Sequence, residues 1–140
     1  MTSQKPRVLF VCVHNAGKSQ MSAALMRAKV SGAVEVLSGG TDPGSSLNHE
    51  AQLALAEIGV TMGDEFPKAI TDDVFMSVDR IVILGNEAKL SPREGMAGTI
   101  ETWLTPEPGS EVGDKLAQTK IIRDDIARRV DQLFVELTSN

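Results

Sequence analysis

Cysteine occurs once in the 140 residues, at Cys12, and tyrosine does not occur at all. A lone thiol excludes an internal disulfide and any site built from cysteines alone. The two histidines, His14 and His49, lie far apart and do not combine with Cys12 into ligand spacing, so no metal is expected. No apolar run is long enough to span a bilayer. The net charge of −5 argues against a broad surface for nucleic acid or anionic membrane. Any anion site must therefore be local, made of a few positive groups and backbone amides. The start of the chain has a short apolar stretch but no secretory h-region or cleavage pattern, so a first strand is expected there and the cytoplasm as compartment. Hydrophobic residues make up 41%, ordinary for a globular chain, and the length suits one domain over residues 1–140.

What is present alternates between two periods. Residues 8–13, VLFVCV, form a near-continuous apolar run, as in a strand buried on both faces. After a polar turn over residues 14–17, a helix is expected over 18–29, with Met21, Ala24, Leu25 and Ala28 on one face. Residues 34–37 suggest a second strand that Ser38, Gly39 and Gly40 would end. Asn48 is placed to cap a helix carrying Ala51, Leu55 and Ile58, with Gly59 as its stop. Asp72 is expected to cap a short helix through Met76. Residues 80–84, RIVIL, form a third buried strand, and 98–103 a weaker fourth. The last helix carries Ile122, Ile126, Val130, Leu133 and Leu137 in one stripe, with Arg123, Asp124, Arg128 and Arg129 off it. Alternating strands and helices predict an α/β fold with a parallel sheet and right-handed crossovers. Ligands of such sheets lie beyond the carboxyl ends of the strands, where Cys12 falls.

Cys12-Val13-His14-Asn15-Ala16-Gly17-Lys18-Ser19 runs from strand through turn into helix. Its amides and the helix N-terminus can gather on an oxyanion, and the same field favours a thiolate over a thiol. Lys18 adds a positive charge and Ser19 a hydroxyl for the sulfur. A free cysteine is by default a small buried hydrophobe, but this placement marks Cys12 as a nucleophile. A nucleotide-binding P-loop is the competing pattern, because Lys18 and Ser19 stand where that motif wants them. Against it, the chain is short, the RIVIL strand leads to Leu84-Gly85-Asn86 without a magnesium-binding aspartate, and the first glycine of the motif is Cys12.

The segment VLFVCVHNAGKSQMSAAL resembles the active-site loop of the low-molecular-weight protein tyrosine phosphatase and arsenate reductase superfamily. Ser19-Gln20-Met21 resembles the reductase branch. Ser38-Gly39-Gly40-Thr41, the second helix, the third strand and Trp103-Leu104-Thr105-Pro106-Glu107-Pro108 resemble further family segments in order. The resemblance implies a single α/β domain with a four-stranded parallel sheet of order 2-1-3-4 and helices on both faces. It implies Cys12 as nucleophile, Lys18 and Ser19 as its catalytic partners, and Glu107 as a general acid. Val13, His14, Asn15, Ala16, Gly17, Lys18 and Ser19 would hold the oxyanion, with no bound cofactor.

Three departures refine that expectation. Lys18 stands where the family has arginine, and so offers a point charge instead of a planar fork. Glu107 replaces an aspartate. The further cysteines of thioredoxin-linked reductases are missing, and Gly85 stands where the first would follow the third strand. A second thiol must then come from outside. The single cysteine with C-x5-K-S resembles actinobacterial arsenate reductases that use mycothiol and mycoredoxin. The expected function is arsenate reduction, with arsenate as substrate, mycothiol as co-substrate, and mycoredoxin or a glutaredoxin-like protein as partner. A low-molecular-weight phosphatase and a non-catalytic oxyanion binder or sensor are the alternatives.

Overall fold

The computed structural model describes residues 5–139; residues 1–4 and 140 of the expected domain lie outside the described residues. Its centre is β1 (Arg7–Cys12), whose alternate side chains enter two separate cores. Val8 and Phe10 face one, with Cys12 at its margin, while Leu9 and Val11 face the other. This two-sided burial is why the run is apolar without alternation.

β1 pairs in parallel with β2 (Glu35–Gly40) on one side and with β3 (Arg80–Leu84) on the other; β4 (Thr99–Trp103) lies outside β3. The order is β2-β1-β3-β4, as the resemblance implied. The register ends with Cys12 opposite Gly40 and Leu84 opposite Trp103. These carboxyl ends share one edge of the sheet, which therefore gathers Cys12 and the start of the loop carrying Glu107.

Helices α1 (Lys18–Val30), α2 (His49–Glu57) and α4 (Lys115–Thr138) cover the face of Val8, Phe10 and Val82. The short α3 (Asp72–Ser77) covers the other face through Phe75. Each fully buried large apolar side chain, such as Phe10, Leu55 or Ile126, contributes about 1.5–3 kcal/mol relative to exposure.

Several local expectations change. β2 does not stop at Ser38; it continues through Gly39 and Gly40. Both glycines permit close approach: a Cβ on Gly39 would lie 2.8 Å from Ile70 Cγ1, and one on Gly40 2.6 Å from the Val13 carbonyl oxygen. Thr71, not Asp72, caps α3, its hydroxyl accepting from the Val74 amide. Asn48 caps α2 through the Ala51 amide as expected, and Gly59 follows its end at φ +76°. Ile58 has turned outward and is 46% exposed. α1 is buried from Ser19 through Met26 instead of along one stripe, because it sits between the sheet and α4; Ala28 is exposed. Arg123, placed off the apolar stripe of α4, is buried with its guanidinium on Glu57 and the Ala54 carbonyl.

Candidate active site

The loop after β1 is shaped by where its carbonyls go. Cys12, Val13, His14 and Ala16 carbonyls accept from the amides of Thr41, Asp42, Gly44 and Asn48, at 2.8–3.2 Å. In a trans peptide the N–H points opposite to the C=O of the same unit. The four bonds thus turn the N–H groups of Val13, His14, Asn15 and Gly17 to the other side of the loop. On that side lies a cavity of about 360 Å³, lined by Cys12, Val13, His14, Ala16, Gly17 and Lys18. Gly40 makes this arrangement possible, since a Cβ there would also come within 3.0 Å of the Asn15 nitrogen.

α1 begins at the back of the cavity. Among the described residues no side chain caps its start at Gly17, and no acidic residue occupies its first turn. Its first amides and the positive end of its dipole therefore remain available to an anion. Lys18 lines the cavity and takes part in none of the ion pairs among the described residues. A Cβ on Gly85 would lie 3.9 Å from Lys18 Nζ, which puts the ammonium beside the end of β3.

Ser19 is buried and its Oγ lies 2.9 Å from Cys12 Sγ. Neighbouring bonds decide the direction of that contact. The Lys68 backbone N–H can only donate, and it donates to Asn15 Oδ1 at 3.0 Å. The Asn15 amide is thereby oriented with Nδ2 toward Ser19 Oγ, at 2.8 Å. Ser19 accepts that bond, which leaves its own proton for the sulfur. The contact therefore places a hydrogen-bond donor on the Cys12 sulfur. Asn15 itself is fully buried at φ +52°, a conformation few residues other than glycine adopt.

Glu107 lies in the loop after β4 and is exposed at the cavity rim, together with Asn48, Asn86 and Glu87. The burial of Thr105 and a 2.9 Å bond from Arg129 to the Leu104 carbonyl fasten that loop to the body. The fold thus brings Cys12, Val13, His14, Ala16, Gly17, Lys18 and Glu107 around one space, with Ser19 and Asn15 directly behind the thiol. His14 is exposed and donates through Nδ1 to the Asp42 carbonyl, 2.9 Å away. Trp103 belongs to the core, tilted against Phe10 at 5.8 Å and donating to Glu101. Among the described residues no group of three or more His, Cys, Asp or Glu could hold a metal ion. Sequence reasoning assigns no site role to Gln20, Gly40 or the backbone at Phe66 and Lys68. Two of these positions do carry a sequence signal: Gln20 through the resemblance of Ser19-Gln20-Met21 to the reductase branch, and Gly40 through Gly39-Gly40, which reads as a strand end and a family turn.

A cysteine in an amide-lined turn, at the carboxyl edge of a 2-1-3-4 parallel sheet, is an arrangement that can hold an anion beside a thiol. Residues 7–140 match the low molecular weight phosphotyrosine protein phosphatase family, and the chain belongs to that family. A Halobacterium salinarum protein described as a "Putative arsenate reductase" is 34% identical over 134 residues, covering 91% of this chain and 89% of its own. A thioredoxin-dependent arsenate reductase of Corynebacterium glutamicum superposes with TM-score 0.77 at 32% identity over 98% of this chain, which spans only 64% of that one. A low molecular weight protein tyrosine phosphatase from T. tengcongensis shares the fold, with TM-score 0.77 at 22% identity over 94% of this chain and 99% of its own.

Proposed function

We propose that the protein reduces arsenate with the help of an outside low-molecular-weight thiol, mycothiol, acting as an arsenate–mycothiol transferase. The observation that carries this reading is Cys12: the only cysteine in the chain, lining the cavity with a serine hydroxyl 2.9 Å from its sulfur. The relatives described as arsenate reductases support the choice of oxyanion.

Arsenate enters the cradle of residues 13–19, where amides, the α1 N-terminus and Lys18 offset its charge. The Cys12 thiolate attacks arsenic; an As–S bond forms and an As–O bond breaks, and Glu107 supplies the proton with which the oxygen leaves as water. A mycothiol thiolate then attacks the same arsenic. Cys12 departs with its bonding pair, and the arsenic, still As(V), is carried by the mycothiol sulfur. A mycoredoxin thiolate attacks that sulfur; the S–As pair stays on arsenic as arsenite, and the two outside sulfurs end as a mixed disulfide. The two electrons thus come from two outside thiols, and Cys12 returns to its starting state.

The Corynebacterium relative makes thioredoxin the competing electron source. Arsenite release by the purified protein is to be compared with mycothiol plus mycoredoxin, glutathione plus glutaredoxin, and thioredoxin alone. Release that depends on Cys12 and on mycothiol with mycoredoxin is expected. Release with thioredoxin alone would contradict the transferase scheme, and no Cys12-dependent release in any arm would remove the reductase reading.

The family description favours phosphate-ester hydrolysis as a second reading. Phosphate and arsenate are near-isosteres, and the cradle suits both. Lys18, Gln20, Glu107 and the absence of tyrosine weigh against it as the main task. Faster hydrolysis of an aryl phosphate than thiol-dependent arsenite production would reverse the order.

A further inference from the structure

Gln20 is fully buried on α1, one residue past Ser19, yet only half of its amide is used. Nε2 donates to Asn15 Oδ1 and to the Phe66 carbonyl oxygen, both at 3.1 Å. Oε1 has no partner. A buried acceptor left unpaired costs free energy, and a methionine or leucine would fill the same space without that cost. Buried polar groups that break the packing rule in this way tend to stand where function requires them. The two used hydrogens show what the side chain does here. They join the 66–68 segment to Asn15 and add a second donor to the oxygen that the Lys68 amide already holds.

We propose that Gln20 is a positioning residue for Cys12, acting through Asn15 and Ser19. The chain of bonds runs without a gap. Gln20 and Lys68 hold Asn15 Oδ1; Asn15 Nδ2 then donates to Ser19 Oγ; Ser19 is left to donate to Cys12 Sγ. Each donor lowers the freedom of the next group to turn away, and bonds in series polarise one another. The same contacts hold Asn15 at φ +52°, a conformation that its backbone alone would resist. Asn15 sits in the middle of the oxyanion loop, so loosening it also loosens the amides on either side. Gln20 touches neither the sulfur nor the anion, and its effect must appear as a change in how readily Cys12 ionises.

This inference rests on the reading of Cys12 as the nucleophile, and iodoacetamide alkylation across pH tests the two separately. A wild-type Cys12 that resists alkylation at every pH would defeat the nucleophile reading itself. Given a wild-type titration, Gln20→Met should move its midpoint up by about 0.5–1 pH unit, the size of one net hydrogen bond. Below the midpoint, alkylation should slow about 3- to 10-fold. In a Ser19→Ala background Gln20→Met should cause no further shift, because the route to the sulfur is already cut. An unmoved midpoint, or an equal shift in both backgrounds, overturns the proposal. In the unmutated protein, the Gln20 side-chain amide resonances should follow the Cys12 titration in nuclear magnetic resonance spectra. Resonances that ignore it overturn the proposal without reliance on any variant's folding.

Discussion

Lys18 carries the residue-scale question of substrate. As a cation lining the cavity it can neutralise an oxyanion, but its ammonium cannot grip two oxygens as a guanidinium does. Removing it in Lys18→Ala should weaken phosphate or arsenate binding about 10- to 100-fold, the worth of one charge-assisted hydrogen bond. Isothermal titration with phosphate checks this, and unchanged affinity would refute the assigned role. Lys18→Arg restores the fork and should raise aryl-phosphate hydrolysis relative to arsenite production. Glu107 poses the question of the proton. Its place at the cavity rim is favourable, but its exposure is also that of an ordinary loop carboxylate. Glu107→Gln should remove the limb of the pH–rate profile on which the protonated acid is lost; a profile of unaltered shape would return Glu107 to the solvated surface. The residue types of this site were legible from the strand–turn–helix order of residues 8–19. The direction of the Ser19 proton was not, because it depends on Lys68, which is remote in sequence.

At the scale of elements, two contacts hold the site's frame. Gly40 lets the end of β2 pass beneath the loop after β1, and Gly40→Ala would press a methyl against the Val13 carbonyl. The variant should lose anion affinity before it loses its fold, which paired phosphate titration and thermal melting would resolve. The second contact is Arg123, buried between α4 and α2, with bonds to Glu57 and the Ala54 carbonyl. Arg123→Met should destabilise the protein by about 1–3 kcal/mol, measured by denaturant unfolding, since the carbonyl is left without its donor. Hydrogen bonds from Lys120 and then Arg123 hold the Glu57 carboxyl below its usual value of 4.5. A depressed folded-state value means that this stabilisation is present above 4.5 and is lost as pH falls through the lowered value. Glu57→Gln should therefore flatten the decline of stability in that acid window; an identical acid-unfolding curve would argue against the linkage. The helical stripe of α4 was readable from its period, but Arg123 was misplaced. Periodicity marks which side chains face the body and says nothing of a cation drawn in by a carboxylate on another helix.

The whole molecule joins a lone thiol to the carboxyl edge of a parallel sheet and supplies no second one. With mycothiol but no mycoredoxin, turnover should stop at a mycothiol–arsenate adduct with little free arsenite, observable by mass spectrometry. Prompt arsenite release without the partner would show that electrons enter by another route. Composition and order along the chain by themselves determined the solitary thiol, the strand–turn–helix order around it, the strand–helix alternation and the burial of β1 on both faces. Each of these follows from covalent sequence and short-range periodicity. Tertiary structure alone decided the rest. It brought Glu107 to the rim, turned four loop carbonyls onto residues 41–48, and set Lys68 and Gln20 against Asn15. Those outcomes depend on which distant backbone groups meet when the two cores close, and hydrophobic period fixes the faces of elements without fixing the polar partners at their ends.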